Sequence, residues 1–203
     1  MTSADGRFER SRGFALGAGL GALVLTAAGA AWSLVALIFR PGSSVWQFVL
    51  AVVPALVLAT FIVRRIGAIA RMPEPPATPS ERLEGARQGR RMGLLFGTVF
   101  AIEMALIAAT AVLLARANRP LLIPVAVVAI IGAHFLPLAK LFRIPTYFVT
   151  GAALVGLTGL SFLISDESTR AFLLGLSVTA VLWASAAAVL VIHLEHVSSA
   201  NVS

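Results

Sequence analysis

The sequence predicts an all-α fold: a polytopic transmembrane helix bundle of six spans, both termini in the cytoplasm. Three observations predict it. First, of 203 residues 59% are hydrophobic and only 12% charged, and the mean hydropathy is +0.94; a soluble domain carries about a quarter charged residues. Second, the apolar residues fall in runs close to the ~20 residues that a helix needs to cross a bilayer, and far longer than a barrel strand. Third, the charges are confined to short stretches between the runs. The whole chain, residues 1–203, reads as a single transmembrane domain, because no loop is large enough to hold a soluble one.

In order, the spans are read over residues 13–39, 45–63, 92–115, 121–139, 146–164 and 171–192. The first has a basic start, and its Ala28-Gly29-Ala30 resembles a signal-cleavage site. Its apolar run, however, greatly exceeds the ~7–15 residues of a signal core, so it is expected to be a retained span. Turn and cap signals separate the others: Arg40-Pro41-Gly42-Ser43, Asn118-Arg119-Pro120, Arg143-Ile144-Pro145 and Ser165-Asp166-Glu167-Ser168. The sizeable loop covers residues 64–91. Its Pro73-Glu74-Pro75-Pro76 is non-helical. Thr78-Pro79-Ser80-Glu81 then reads as a helix start, with Thr as N-cap, Pro at N1 and Glu at N3 closing a capping box, so a helix from about Pro79 is expected to run into the third span. Arg10–Gly17 resembles Arg90–Gly97, and each leads through an apolar run to an Arg-Pro pair, a weak sign of a repeated two-helix hairpin.

Orientation follows from the basic residues. Twelve of the sixteen lie on the N-terminal side: Arg7, Arg10, Arg12, Arg64, Arg65, Arg71, Arg82, Arg87, Arg90, Arg91, Lys140 and Arg143. Arg40, Arg116, Arg119 and Arg170 lie opposite. The positive-inside rule then places both termini in the cytoplasm of a bacterial inner (plasma) membrane. The fifteen Arg against one Lys, with many Ala and Gly, suggest GC-rich bacterial coding. The net charge of +7 is this topogenic bias and not a nucleic-acid footprint, since no aromatic residues interleave with the Arg. Partners are therefore the bilayer, with anionic lipids at the Arg-rich loop and a homo-oligomer as further expectations, and no nucleic acid. The absence of Cys excludes disulfides, thiolate metal sites and Cys nucleophiles.

Candidate functional residues are few. Glu103 stands near the middle of the third span, where a charge costs several kcal/mol. It must face a cavity or a partner, or carry a proton. At the helical repeat it shares a face with Phe96, Phe100, Ile107 and Thr110, opposite the small-residue stripe Gly93, Gly97, Ala101, Ala105 and Ala109. Gly13, Gly17 and Gly21 form a similar stripe on the first span. Both stripes suit close helix packing. His134 precedes Pro137, which removes a donor from the carbonyl of Ala133 and is expected to kink or end the fourth helix. Counted from the cytoplasmic ends, Glu103 lies roughly 16 Å deep and His134 roughly 8 Å, which argues against direct pairing without water or a helix offset. His193 and His196 share a helical face, a weak metal candidate, and two ligands complete no site. Ser177, Thr179 and Ser185 can bond within or between helices. No nucleophile elbow, P-loop, paired-carboxylate motif or dinucleotide fingerprint is present, and no cofactor is expected.

The segment Ile131-Gly132-Ala133-His134-Phe135-Leu136-Pro137-Leu138-Ala139-Lys140-Leu141-Phe142, followed by Pro145, Tyr147, Phe148 and Thr150-Gly151, resembles the central motif of a group of small uncharacterised bacterial six-span integral membrane proteins. The specific resemblance covers about a fifth of the chain. It implies a six-span bundle and supplies no activity, so no catalytic residue is carried over.

Three functional classes remain: a small transporter, channel or ligand-binding bundle that uses the Glu103 face; a non-catalytic assembly component that packs through its Gly/Ala stripes; and an intramembrane metal-dependent hydrolase built on His134, His193, His196 and an acid. Topology is directly testable. Reporter fusions after Val63 and after Val197 are both expected to report cytoplasm, and a periplasmic signal at either overturns the six-span arrangement.

Overall fold

The computed structural model describes residues 12–40, 44–71, 78–142 and 144–194. Among these residues the chain is helical and has no strand. The elements are α1 (Arg12–Ile38), α2 (Val45–Ala70), α3 (Pro79–Arg116), a 3₁₀ turn (Pro120–Leu122), α4 (Ile123–Phe142), α5 (Pro145–Ser161), α6 (Glu167–Val189) and a terminal π turn (Leu190–Leu194). Large apolar side chains cover the outside, among them Trp46, Leu50, Val57, Leu94, Val149 and Leu163.

Five of the helical stretches are long and apolar enough to cross a membrane: Leu16–Ile38, Val45–Ala70, Leu83–Arg116, Pro120–Phe142 and Glu167–Ile192. The expected fifth span, residues 146–164, differs. Its helix α5 has 17 residues, about 26 Å at 1.5 Å per residue against ~30 Å of hydrocarbon. After Ser161 the chain tightens: the amides of Phe162, Leu163 and Ile164 donate to the carbonyls of Gly159, Leu160 and Ser161 at 3.2, 3.0 and 3.1 Å. Arg170 Nε then donates to the Ile164 carbonyl at 3.0 Å, and its guanidinium stacks 5.4 Å from the Phe162 ring centre. The guanidinium thus takes a carbonyl that a longer helix would have used. Asp166 caps the next helix, its Oδ2 accepting from the Thr169 amide at 2.6 Å. Hydrogen bonds from Thr169 hold the Asp166 carboxyl below its ordinary range.

Other boundaries also extend beyond the apolar runs. α2 continues past Val63 to Ala70, carrying Arg64 and Arg65, with the Arg65 guanidinium 5.2 Å from the Phe61 ring centre. α3 is one unbroken helix of 38 residues from Pro79. At its start the Thr78 and Ser80 hydroxyls lie 3.1 Å apart; the expected capping partner Glu81 and the Pro73–Pro76 segment fall outside the described side chains and residues. Pro137 does not end α4, which runs on to Phe142.

The chain forms two compact units, residues 1–74 with 175–203, and residues 75–174. In the first, α1 lies between α2 and the Gly175–Val189 part of α6. Ala18, Ala22, Leu25, Thr26, Trp32, Ser33 and Ala36 of α1 are buried. Close approach depends on small residues: a Cβ on Gly19 would stand 2.6 Å from Ile66 Cγ1, and one on Gly175 2.8 Å from Ala36 Cβ. Gly29 admits the Trp183 indole, whose Nε1 donates to the Thr26 carbonyl at 3.1 Å. Beside it the Thr179 hydroxyl donates to the Gly29 carbonyl at 3.1 Å. The pairs Ala36–Gly175, Gly29–Thr179 and Thr26–Trp183 run in opposite chain directions, so α1 and α6 pack antiparallel.

In the second unit, α3, α4 and α5 follow one another as antiparallel neighbours. The α4–α5 contact is backbone-close: a Cβ on Gly151 would lie 2.6 Å from the Gly132 carbonyl oxygen, and one on Gly132 3.0 Å from the Val155 amide nitrogen. Phe135 and Tyr147 meet edge to face at 5.7 Å.

The glycines that make these contacts are not those of the expected stripes. A Cβ on Gly17, Gly93 or Gly97 would meet nothing within 4 Å. Gly21 is half-buried, and the surroundings of Gly13 lie outside the description. Two substitutions separate the cases. Gly29→Ala displaces Trp183 from its bond to Thr26 and is expected to cost about 1–3 kcal/mol, as overpacking does. Gly97→Ala meets open space and is expected to be neutral or stabilising by up to ~1 kcal/mol through helix propensity. Thermal unfolding of the detergent-solubilised protein measures both; equal effects refute the packing assignment.

Candidate functional site

The site is set by a turn. α3 ends in a Schellman arrangement: the Asn118 amide donates to the Ala115 carbonyl at 3.1 Å and the Arg119 amide to the Leu114 carbonyl at 2.9 Å. Asn118 takes the left-handed conformation this requires, φ 57°, which Asn tolerates better than most residues. Pro120 then starts the return helix. In an antiparallel hairpin, residues equally distant from the turn stand level. Glu103 lies 15 residues before Asn118 and His134 lies 16 after it. Both are therefore about 22–24 Å from the turn along their helices.

They meet. Glu103 Oε2 and His134 Nδ1 are 3.3 Å apart, with side chains 9% and 10% exposed. The contact lies within ion-pair range but lacks hydrogen-bond geometry, and Nδ1 is fully buried without a hydrogen-bond partner. The pair therefore meets directly, against the depths of roughly 16 and 8 Å that the apolar runs give, because α3 continues well past its run to Pro79 and the ends of the runs are not level. The shared turn is the valid reference point for both.

Glu103 is the buried residue at the centre of a single covered stripe of α3. Met92, Val99, Ile107, Thr110, Ala111 and Leu114 on that stripe are half-buried, and the remaining faces are exposed. Thr110 stands two turns from Glu103 on the same face, toward the Asn118 turn. Toward the Lys140 end, two turns from the pair, aromatic rings meet across the interface. Phe96 meets Phe142 at 6.0 Å, Phe142 meets Tyr147 at 6.5 Å, and Phe100 stacks on Phe96 at 6.3 Å. The pair thus lies in a seam between α3 and α4, with aromatic rings two turns away on one side and the Thr110 hydroxyl two turns away on the other.

The chemistry available is acid–base. A neutral carboxylic acid can donate to Nδ1, or a carboxylate can accept from an imidazolium, and both forms leave the pair with no net charge. A shift of a few tenths of an ångström converts the 3.3 Å contact into a charge-assisted hydrogen bond. One further proton makes the pair a cation, with the acid neutral and the imidazole charged. Pro137, one turn beyond His134, donates nothing to the Ala133 carbonyl, which adds an acceptor beside the imidazole.

Among the described residues no group of three or more His, Cys, Asp or Glu is placed to hold a metal. The His193 side chain and His196 fall outside the described residues. Ser185 bonds within its own helix, its hydroxyl donating to Val181 O at 2.7 Å, and Thr179 bonds both within and between helices. The motif around His134 is largely packing: Gly132, Phe135, Tyr147 and Gly151 form the α4–α5 contact, while His134 faces α3. The aromatic contact was not expected from sequence. Its signal was present in the spacing of Phe96 and Phe142, which are as far from the turn as one another within two residues.

The chain matches no protein-family model, no curated protein and no solved structure.

Proposed function

We propose that this chain is a multi-pass protein of a bacterial plasma membrane, a small transporter, channel-like or ligand-binding bundle whose working site is the Glu103–His134 pair. The observation that carries this reading is the 3.3 Å contact between an acid and an imidazole at mid-helix, in a chain with five helices apolar and long enough to span. Ionisable groups are rare inside membranes and mark ion, proton or substrate paths. A Glu paired with His adds a second proton acceptor whose ordinary titration range lies near neutral pH. Protons leave such a pair as a unit, so it can load and release one without stranding an isolated charge in hydrocarbon.

The same reading retains six crossings with both termini cytoplasmic. α5 then crosses with the help of the tight turn that carries the chain to Ile164, so that residues 145–164 span together. The twelve-to-four distribution of basic residues supports this orientation. The resemblance of the His134 motif to small six-span bacterial proteins points the same way.

A second reading is favoured by the same geometry: the pair is a clasp that holds the otherwise exposed α3 to α4, in a non-catalytic assembly component. Glu103→Gln separates the two. Gln keeps the size and much of the hydrogen-bonding capacity, and an interhelical hydrogen bond in a membrane is worth about 0.6 kcal/mol on average. The variant is therefore expected to fold with nearly unchanged thermal stability. In proteoliposomes loaded with a pH-sensitive dye, the wild-type chain is expected to pass protons down an imposed gradient, and Glu103→Gln and His134→Gln are each expected to abolish that flux. Flux unchanged in both variants, or a wild-type chain that passes neither protons nor Na⁺ or K⁺, eliminates the working-site reading in favour of the clasp.

A further inference from the structure

α3 has an outer face that the Glu103 site does not use. The helix continues about 20 Å beyond its apolar run, from Met92 back to Pro79, and this extension carries Arg87, Arg90 and Arg91, all exposed. At about 100° per residue the three guanidinium-bearing positions fall within one arc of about 100°, together with Leu83 and Leu94. Leu83 and Leu94 are 62% and 65% exposed. The arc lies on the side of α3 opposite Glu103, turned away from α4. Among the described residues no carboxylate lies within ion-pair distance of these arginines; Glu84 sits at the edge of the arc.

The same side changes character at Met92. Gly93 and Gly97 follow one and two turns beyond Arg90, and Ala101 and Ala105 continue the line, all exposed. A Cβ on Gly93 or Gly97 would meet nothing within 4 Å. Among the described residues the face is thus a cluster of cations without an ion-pair partner at the boundary of the apolar segment, leading onto an exposed line of small residues.

We infer that this face binds an anionic phospholipid, its phosphate held by Arg87, Arg90 and Arg91 and an acyl chain lying along Gly93, Gly97 and Ala101 beside Leu94. Charge complementarity selects the headgroup: guanidinium forks match phosphate oxygens in pairs, and anionic leaflets attract cations next to a span. The exposed apolar line beyond the arginines selects a lipid over a free phosphate ion. A second copy of the chain suits the face poorly. Two copies in one membrane share an orientation, so a symmetric contact through Gly93 and Gly97 sets Arg90 against Arg90.

The test is native mass spectrometry of the full-length protein in detergent, titrated with phosphatidylglycerol, phosphatidylcholine or inorganic phosphate. Phosphatidylglycerol is expected to remain bound where phosphatidylcholine of equal chain length does not. Each guanidinium removed is expected to weaken binding roughly fivefold, so the combined Arg87→Gln, Arg90→Gln, Arg91→Gln variant loses on the order of a hundredfold. If that variant fails to insert, Arg87→Gln alone provides the fivefold step. Gly97→Leu, which fills open space, is expected to weaken the lipid severalfold and leave inorganic phosphate unaffected. Glu103→Gln is expected to bind lipid as the wild type does, so failure here is separate from failure of the acid–histidine site. Equal retention of phosphatidylcholine, inorganic phosphate binding as tightly as the lipid, or Gly97→Leu turning a dimer into a monomer with lipid retention unchanged each overturns the inference.

Discussion

Five helices are long and apolar enough to cross a membrane, and a helix placed in hydrocarbon has no water to satisfy a stray polar group; the polar side chains of this structure are arranged as that constraint requires. The hydroxyls obey it locally. Thr26, Thr60, Thr98, Thr150 and Thr158 each donate to the carbonyl four residues back, at 2.7 to 2.9 Å. Such a bond costs the helix little and makes a hydroxyl compatible with an apolar surface. Between helices of the first unit, Trp183 and Thr179 reach carbonyls of α1 across a glycine. Those bonds also fix the alignment of α6 on α1, because a tryptophan indole fits only where the opposite backbone has no Cβ. Among the described side chains, His134 Nδ1 at the Glu103 contact is buried without a hydrogen bond. A polar atom left unmatched in a buried position is where a proton, an ion or a small movement has a large energetic effect.

The position of that pair is governed by backbone chemistry remote from it. Asn118 in the left-handed conformation, with the two reverse hydrogen bonds around it, sets where the chain turns. Everything that faces across the α3–α4 seam follows from that turn. Phe96 opposite Phe142 and Glu103 opposite His134 keep the same alignment, two turns apart. One residue inserted on either side of Asn118 would rotate the facing helix by about 100° and separate both pairs at once.

α3 joins the two features of functional interest on opposite sides. Its inner face presents the acid to α4, and its outer face presents arginines and then small residues to the surroundings. A helix in contact on one face only is held by fewer interactions than α1, and the acid–imidazole contact lies at the centre of what holds it. The short α5 shows a related trade. Arg170 stabilises the turn after Ser161 by occupying the Ile164 carbonyl, and the helix ends there even though apolar sequence continues to Ile164.

Much of this architecture was legible in the residues alone. Runs of about 20 apolar residues, interrupted by Arg-Pro, Asn-Arg-Pro and Ser-Asp-Glu-Ser, determined the helices and most of their ends. Thr78-Pro79 determined where α3 begins. Local chemistry is sufficient for such features, because caps, prolines and hydrophobic length act within a few residues of themselves. The spacing of Glu103 on its face also identified it as an inward residue. What the sequence left open needed distances between helices. Apolar length alone did not reveal that α5 stops at Ser161, where the chain tightens to bonds three residues back and Arg170 takes the carbonyl of Ile164. Glycine spacing marked Gly17, Gly93 and Gly97, whereas Gly19, Gly29, Gly132, Gly151 and Gly175 make the contacts; which glycine is used depends on the side chain opposite, such as Trp183 or Ile66. The meeting of Glu103 with His134 was likewise decided by tertiary structure alone, because their relative height is a property of the hairpin that joins their helices and of neither helix by itself.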